Sequence, residues 1–231
     1  MNLAEACRAV PFLRELGETE RLRLEPHMRL RQVARSEAIW NTDDASRDFT
    51  FLVDGRVKLV KTNEGGRETI VELCRPGDLL CTSAVCAFAP YCCSSLALDG
   101  PVWVLTIPRR DIFDLIERGG AAALSWMVET SGREARLTGR IEQLSSGHVE
   151  RRVAALLCDL AERAGTSASG GAGTWIPIQL TRQDLADLCG TTVETAIRVM
   201  TRLSREGVVR SAARGLVILN REKLLEIARS I

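Results

Sequence analysis

Two side chains with base-reading chemistry lie four residues apart in the stretch from Leu180 to Glu206. At this spacing, Glu194 and Arg198 leave the same face of a helix. A carboxylate can accept a hydrogen bond from cytosine N4, and a guanidinium can bond guanine O6 and N7 as a fork. The alternative is a surface ion pair, which contributes at most about 1 kcal/mol. The pair is therefore a candidate for reading base edges in DNA.

A second candidate is a group of thiols. Five of the eight cysteines fall within twenty residues of the sequence: Cys74, Cys81, Cys86, Cys92 and Cys93. Thiolates suit iron–sulfur clusters, zinc, copper(I) or haem iron, or they form a redox disulfide. A buried thiol can also be only a small apolar side chain. So many cysteines in a short stretch favour a functional site, and its candidate residues are Cys81, Cys86 and one of Cys92 and Cys93. Only one of the last two is expected, because adjacent residues on a strand point to opposite faces. Cys74 is the next candidate.

The elements around Glu194 and Arg198 are two short helices. Thr181 and Asp184 form a near capping box at the start of the first helix, and Gly190 ends it. Thr192 is a suitable N-cap for the second helix. Its inward face is predicted to carry Ala196, Val199, Met200 and Leu203. Two short helices across a glycine-containing turn are typical of a helix-turn-helix.

A β-hairpin is predicted directly after the second helix. Val208 to Arg210 and Leu216 to Leu219 are two strand-like runs, and Gly215 is predicted to lie at the turn between them. A hairpin in this position would form the wing of a winged helix.

The segment from His148 to Leu225 resembles the winged-helix domain of the CRP/FNR regulators, the catabolite activator and fumarate-nitrate reduction family. Thr192 to Arg198 matches that family's recognition-helix pattern, a Glu followed four residues later by an Arg. Branches that read TTGA-like half-sites usually carry Ser before that Arg, where this chain has Ile197. The resemblance therefore implies the family's TGA core more strongly than its outer bases. The helix-turn-helix frame assigns sequence-independent phosphate contacts to Arg182, Thr192, Thr195, Arg202 and Arg205.

The chain from Arg29 to Ile107 has a strand-like period. Turns separate five short β-type runs, which are Phe49 to Val53, Val57 to Val60, Thr69 to Leu73, Ser95 to Leu98 and Val102 to Ile107. Such spacing predicts an antiparallel roll or barrel. The stretches Phe51 to Leu59 and Arg75 to Leu80 resemble the cyclic-nucleotide-binding-type β-roll of the same family. The fold class is therefore α+β.

The thiols stand where nucleotide-binding relatives carry Gly-Glu-Leu and, about ten residues later, Arg-Ser. This chain has Cys81-Thr82-Ser83 and Cys92-Cys93 there, so we expect that cyclic AMP is not the effector. The family's oxygen sensor has its cluster cysteines mainly near the N-terminus, where only Cys7 stands here. Cys81 is similar in placement to the haem thiolate of the family's carbon-monoxide sensor, but Ser83 replaces that protein's histidine. An iron–sulfur cluster, another thiolate-bound metal or a thiol switch remains open, and haem is disfavoured.

A helical pattern begins at Pro108. Seven mostly apolar positions recur at alternating spacings of four and three residues, which predicts a coiled-coil seam between two chains. The alternative is a helix packed on its own roll. The predicted seam residues are Ala123, Met127, Thr130, Glu134, Leu137, Ile141 and Leu144. Glu134 would face its twofold mate as a like charge, which is unfavourable when desolvated. Ser145-Ser146-Gly147 is a predicted hinge, and Gly165 to Thr174 is a predicted mobile loop.

These patterns divide the chain into a β-roll sensor domain (1–107), a dimerisation helix (108–145) and a winged helix-turn-helix (146–231). With 45% hydrophobic and 26% charged residues and no secretory signal or transmembrane run, we expect a soluble cytoplasmic protein that does not contact a membrane. The predicted function is a homodimeric transcription regulator, not an enzyme, whose partners are an inverted-repeat site in double-stranded DNA and RNA polymerase. The alternatives are a regulator that responds to a small molecule or a haem-bound gas, and a cyclic-nucleotide-type module that does not bind DNA.

Overall fold

The computed structural model describes residues 1–66, 68–145, 147–168 and 173–229, except for the side chain of Gln143. The chain divides into two compact units, Met1–Leu137 and Thr138–Ile231. The division falls inside the segment predicted to be the dimerisation helix, and the arrangement in three domains stays a prediction. Within the described ranges, no helix has both the length and the apolar character needed to cross a membrane.

Three short helices and a 3₁₀ turn precede the first strand. They are α1 (Leu3–Ala9), α2 (Pro11–Arg14), α3 (Glu18–Leu24) and the turn Glu25–His27. Asn2 caps α1, because its side chain accepts a hydrogen bond from the backbone N–H of Glu5 at 2.9 Å. The Glu5 carboxylate accepts one from the Asn2 N–H at the same distance. This reciprocal cap satisfies two N–H groups that a helix start leaves unpaired.

The chain then folds into a β-roll of two antiparallel sheets. Its strands are β1 (Arg29–Val33), β2 (Ala38–Trp40), β3 (Asp48–Asp54), β4 (Val57–Thr62), β5 (Glu68–Cys74), β6 (Leu79–Leu80), β7 (Ser94–Ala97) and β8 (Val102–Pro108), with α4 (Thr82–Cys86) between β6 and β7. One sheet has the order β1-β8-β3-β6 and the other β2-β7-β4-β5. The five predicted strands are present as β3, β4, β5, β7 and β8, so the predicted roll is confirmed.

Aromatic rings fill the core of this unit. Five consecutive residues of β3, from Phe49 to Val53, are buried, so both faces of this strand are covered. Phe51 stacks on Phe12 with ring centroids 5.8 Å apart. Phe49 meets Trp126 edge-on at 4.8 Å. These contacts hold α2 and the helix that carries Trp126 against the roll.

Two helices follow the roll, α5 (Arg109–Glu117) and α6 (Ala121–Ser145). The exposed face of α6 differs from the predicted seam. Met127 and Ile141 are 64% and 66% exposed, and Leu124 and Val128, which lie outside the predicted seam, are 63% and 68% exposed. Glu134 is exposed as well, whereas four predicted seam residues are half-buried: Ala123, Thr130, Leu137 and Leu144. The apolar pattern did not account for Trp126, whose packing on the roll fixes the rotation of α6. We call Leu124, Met127, Val128 and Ile141 the exposed stripe.

The C-terminal unit is a winged helix-turn-helix. Its elements are α7 (Val149–Ala164), β9 (Thr166–Ser167), β10 (Thr174–Ile176), α8 (Arg182–Cys189), α9 (Val193–Arg205), β11 (Val209–Ala212), β12 (Gly215–Ile218) and α10 (Arg221–Arg229). The sheet has the order β11-β12-β10-β9. The predicted hairpin is confirmed as β11 and β12, which pair antiparallel.

Gly215 does not lie at the turn of this hairpin, as the sequence predicted. It begins β12 and pairs with Ala212, so Ala213 and Arg214 form the turn. Gly215 has φ +142°, and a Cβ atom there would collide with the carbonyl oxygen of Ile176 on β10. The glycine is therefore needed for the close approach of two strands rather than for the turn.

Two predictions for the connecting segments need correction or lie partly outside the structure. The predicted mobile loop from Gly165 to Thr174 begins as strand β9, whose two residues pair with β10. The side chains of Thr166 and Ser167 are exposed, but the backbone of both residues pairs with β10. Residues 169–172 lie outside the described residues. In the predicted hinge, Ser145 is the last residue of α6, and Ser146 is not described.

Candidate functional site

The helix pair α8–α9 is positioned by local caps. The Thr181 hydroxyl accepts from the Asp184 N–H at 3.0 Å, and the Asp184 carboxylate accepts from the Thr181 N–H at 2.9 Å. Gly190 ends α8 in the left-handed conformation, with φ 58°. Thr192 then caps α9, because its hydroxyl accepts from the Thr195 N–H at 3.3 Å. The predicted caps and the predicted break are therefore present.

Helix α9 buries one face and exposes the other. Ala196, Val199 and Leu203 are buried and Met200 is half-buried. The opposite face carries Glu194, Arg198 and Arg205, which are exposed. The hydrophobic contacts therefore fix the rotation of α9 and direct the polar face outward.

The Glu194 carboxylate and the Arg198 guanidinium do not pair with each other. In the described part of the chain, no ion pair joins them, and Arg198 only approaches the Thr195 hydroxyl at 3.5 Å. Hydrogen bonds from its own backbone N–H and from the Thr192 side chain lower the pKa of the Glu194 carboxyl. The residue is therefore charged near neutral pH. The alternative of a surface ion pair between these two residues is not realised.

The five predicted phosphate contacts differ in their surroundings. Arg182, Thr192 and Arg205 are exposed, and Thr195 is half-buried beside its cap. Arg202 forms an ion pair with Glu150 of α7, so part of its charge is neutralised within the unit. A groove on the surface of α9 is lined by Arg198, Val199, Thr201, Arg202 and Arg205.

Several arginines of this unit were missed by the sequence reasoning. Arg140 donates to the carbonyl of Leu188, and Arg152 donates to the carbonyl of Cys189 at 2.7 Å. These donors satisfy carbonyl groups that the end of α8 leaves unpaired. Arg210 and Arg214 are exposed on the wing hairpin. Both wing arginines lie beside the predicted turn in the sequence, and this position could have identified them as exposed wing residues.

The β-roll brings three sulfur atoms together. The Sγ atoms of Cys81, Cys92 and Cys93 all lie within 4.8 Å of one another. We call them the thiol cluster. Cys86 is exposed at the far end of α4 and lies outside the cluster, as does the buried Cys74. The expectation that only one of the adjacent cysteines joins a site does not hold, because Cys92 and Cys93 lie in a bend before β7 and do not alternate as strand residues.

Two thiols of the cluster interact directly. The Cys81 and Cys93 sulfurs are 4.0 Å apart. A hydrogen bond from Cys93 and the charge of Arg133 lower the pKa of the Cys81 thiol to about 6, although burial opposes this shift. The same hydrogen bond raises the pKa of Cys93, and burial adds to the increase. The surroundings therefore favour the ionised form of Cys81 and the protonated form of Cys93.

Hydrogen bonds, an ion pair and a ring stack surround the thiol cluster. The Arg133 guanidinium, on α6, binds the Glu72 carboxylate at 2.8 Å and donates to the Thr82 hydroxyl at 3.2 Å. The Trp40 indole N–H donates to the carbonyl of Cys93 at 2.9 Å. Its ring stacks on Tyr91 with centroids 4.2 Å apart. Sequence reasoning missed Trp40 and Arg133, because they are far from the cysteines along the chain.

Comparisons with known proteins agree with both halves of this description. Residues 151–227 match the Crp-like helix-turn-helix domain, and residues 30–119 match the cyclic nucleotide-binding domain. The chain belongs to the CRP/FNR family. It is a DNA-binding transcription regulator of that family, and the alternative of a module without a DNA-binding domain is wrong.

Individual CRP/FNR proteins match over most of the chain. The transcriptional activatory protein AadR of Rhodopseudomonas palustris is 28% identical over 229 residues, 96% of this chain and 91% of that protein. The cyclic AMP receptor protein of Thermus thermophilus is 29% identical over 194 residues, 83% of this chain and 84% of that protein. The structure of FixK2 from Bradyrhizobium japonicum superimposes with a TM-score of 0.75 at 22% identity, covering 88% of this chain and 98% of that one.

The roll of this CRP/FNR protein carries sulfur where the nucleotide-binding pattern has a carboxylate and an arginine. Cys81 and Thr82 stand at the first position, and Cys92 and Cys93 stand at the second. The Arg133 guanidinium, which borders this place, is already paired with Glu72. That cyclic AMP is not the effector stays a prediction.

Proposed function

We propose that the protein acts as a homodimer on an inverted-repeat DNA site, which it reads with Glu194 and Arg198 of each α9. The observation that carries the proposal is that both charged groups project from the exposed face of α9 without pairing to each other. The start of the second helix of a helix-turn-helix is the part that enters the major groove. Glu194 would accept from a cytosine, and Arg198 would donate to a guanine.

Phosphate contacts would set the register of each α9. We assign them to the five predicted residues: Arg182, Thr192, Thr195, Arg202 and Arg205. The wing arginines Arg210 and Arg214 join them in this proposal, because both are exposed on the hairpin beside α9. Such contacts carry no sequence information.

Exchange of single arginines tests the reading assignment. Arg198→Ala should cost about 1–3 kcal/mol on the palindrome. It should also remove the preference for one guanine in each half-site. Arg205→Ala is the matched control, because it removes an exposed arginine from the same helix and should weaken all sequences alike. Equilibrium titration of labelled duplexes at fixed salt measures both. Unchanged guanine preference in Arg198→Ala would refute the assignment.

The dimer interface is proposed to lie on the exposed stripe of α6. A second copy of the chain is the occupant that fits, because each half of an inverted repeat requires its own α9. Glu134 lies on the same side of the helix and is exposed. Its twofold mate would be a like charge, so Glu134→Leu should tighten the dimer. Sedimentation equilibrium measures the dissociation constant. Glu117→Leu at the end of α5 is the control, because it removes an exposed charge outside α6. Equal dissociation constants for wild type and Glu134→Leu would contradict the interface.

The signal is proposed to act at the thiol cluster, as a bound metal, an iron–sulfur cluster or a redox change, in place of cyclic AMP. A small molecule or a haem-bound gas in the roll is the alternative. Anaerobic purification followed by an absorption spectrum and metal analysis separates these cases. RNA polymerase is the proposed protein partner, and the cytoplasm is the proposed location.

A further inference from the structure

The geometry of the thiol cluster is suited to one metal ion. Metal–sulfur bonds to thiolates are about 2.3 Å long, so three sulfurs in a plane around a common centre lie about 4 Å apart. The Cys81 and Cys93 sulfurs are 4.0 Å apart, and the Cys92 sulfur lies within 4.8 Å of both. Only small side-chain adjustments would give all three sulfurs equal distances to a central ion.

We propose that Cys81, Cys92 and Cys93 bind a single soft metal ion with three sulfur ligands, of which copper(I) is the type. Soft thiolates select copper(I), zinc and iron–sulfur clusters. A cluster normally takes four cysteines, and a structural zinc takes four ligands. In the described part of the chain, no histidine or carboxylate joins the three sulfurs. Copper(I) is satisfied by three thiolates, and its binding releases thiol protons without electron transfer.

The three cysteines differ in their exposure to solvent. Cys81 and Cys93 are buried, at 2% and 4% exposure, whereas Cys92 is exposed. The bond from the Trp40 indole to the Cys93 carbonyl holds that ligand in place. Cys92 therefore gives access from solvent, and the other two thiols provide a site that is already formed.

The residue that follows Cys81 is in contact with α6. Thr82 follows Cys81 and accepts the hydrogen bond from Arg133, which also binds Glu72. A negatively charged metal–thiolate group would attract the Arg133 guanidinium away from Glu72. Arg133 is therefore a positioning residue that transmits occupancy of the site to α6. This step deepens the proposed thiol signal, and its regulatory meaning rests on that proposal.

Competition with a coloured copper(I) chelator under anaerobic conditions tests the site in the full-length chain. We expect the wild type to retain one copper(I) per chain. Cys92→Ser should weaken this binding by about 100-fold or more, because changes even in residues that only support ligands cost 10–100-fold. Cys86→Ser is the matched control: it removes another exposed thiol of the same segment and should bind as the wild type does. X-ray absorption should show sulfur as the copper ligand.

Several outcomes would overturn the site. They are loss of copper(I) from the wild type to the chelator, equal losses in Cys92→Ser and Cys86→Ser, and preferential binding of zinc in a four-coordinate environment. DNA binding by the metal-free protein is measured in parallel. Failure of copper binding with intact DNA binding rejects only this inference. Intact copper binding without recognition of any inverted repeat rejects only the proposed DNA reading.

Arg133→Met tests the transmission step, because methionine replaces the aliphatic stem of the arginine and removes its N–H donors. Copper loading of the wild type should change affinity for the palindrome by about fivefold or more. In Arg133→Met, copper binding should stay within a few-fold, which shows that the site is intact, and the change in DNA affinity should disappear. A copper response of unchanged size in this variant would overturn the role of Arg133.

Discussion

The α8–α9 pair and the thiol cluster are built in opposite ways. The helix pair occupies consecutive residues from Thr181 to Arg205, and its caps are bonds between residues three positions apart. The thiol cluster depends on groups from Trp40 to Arg133, which strands β2 and β5, the start of α4, the bend before β7 and helix α6 bring together. The first site depends on local sequence, and the second depends on the folded roll.

This contrast also separates what holds each site in place. In the helix pair, short side-chain-to-backbone bonds define where each helix begins, and three small or medium apolar residues of α9 set its rotation. In the roll, β3 carries the buried rings of Phe49 and Phe51 and pairs with β6, and Cys81 directly follows β6. Substitutions should therefore have local effects in the first region and distributed effects in the second.

The largest effect is expected from Phe51→Ala in the roll. Phe51 is fully buried and stacks on Phe12, so its loss should cost about 3–5 kcal/mol. The variant should expose Cys81 and Cys93 to a thiol reagent while α9 keeps its structure. Urea unfolding followed by tryptophan fluorescence, together with thiol reactivity, measures both effects.

Phe88→Ala is the control for this substitution. Phe88 is 67% exposed and lies under the Arg109 guanidinium at 3.7 Å. Removal of an exposed cation–π contact should cost about 0.5–1 kcal/mol. Similar losses in the two variants would contradict the conclusion that the core of the roll supports the cluster.

A smaller effect is expected from Gly190→Ala in the helix pair. Gly190 has φ 58°, and an added Cβ would make only an ordinary contact with Leu144 at 3.5 Å. The cost should therefore come from the left-handed backbone, about 1–2 kcal/mol. Gly190→Asn should lose less, because asparagine tolerates this conformation. Urea unfolding of the three proteins measures the series, and equal losses for alanine and asparagine would mean that packing, not backbone conformation, requires the glycine.

The same contrast explains how much the sequence could predict. The caps, the break at Gly190, the exposed face of α9 and the wing hairpin depend on residue types at short spacing. All four were therefore predicted, and only the position of Gly215 differed. The five β-type runs predicted the roll. The composition of the thiol cluster was not predictable, because the bend at Cys92 and Cys93 is set by tertiary contacts. The rotation of α6 was missed for a similar reason, since Trp126 packs on rings far away in sequence.

The smallest of these effects is expected from Thr181→Ala at the start of α8. The Thr181 hydroxyl accepts from the Asp184 N–H and donates to the Asp184 carboxylate at 2.7 Å. Loss of such a cap costs about 1 kcal/mol. Thr201→Ala is the control, because Thr201 is exposed within α9 and alanine favours a helix interior. Urea unfolding should show a loss for Thr181→Ala and none for Thr201→Ala. Because the cap acts only on its own helix, thiol reactivity in the roll should not change, and a change there would show that the two regions are not independent.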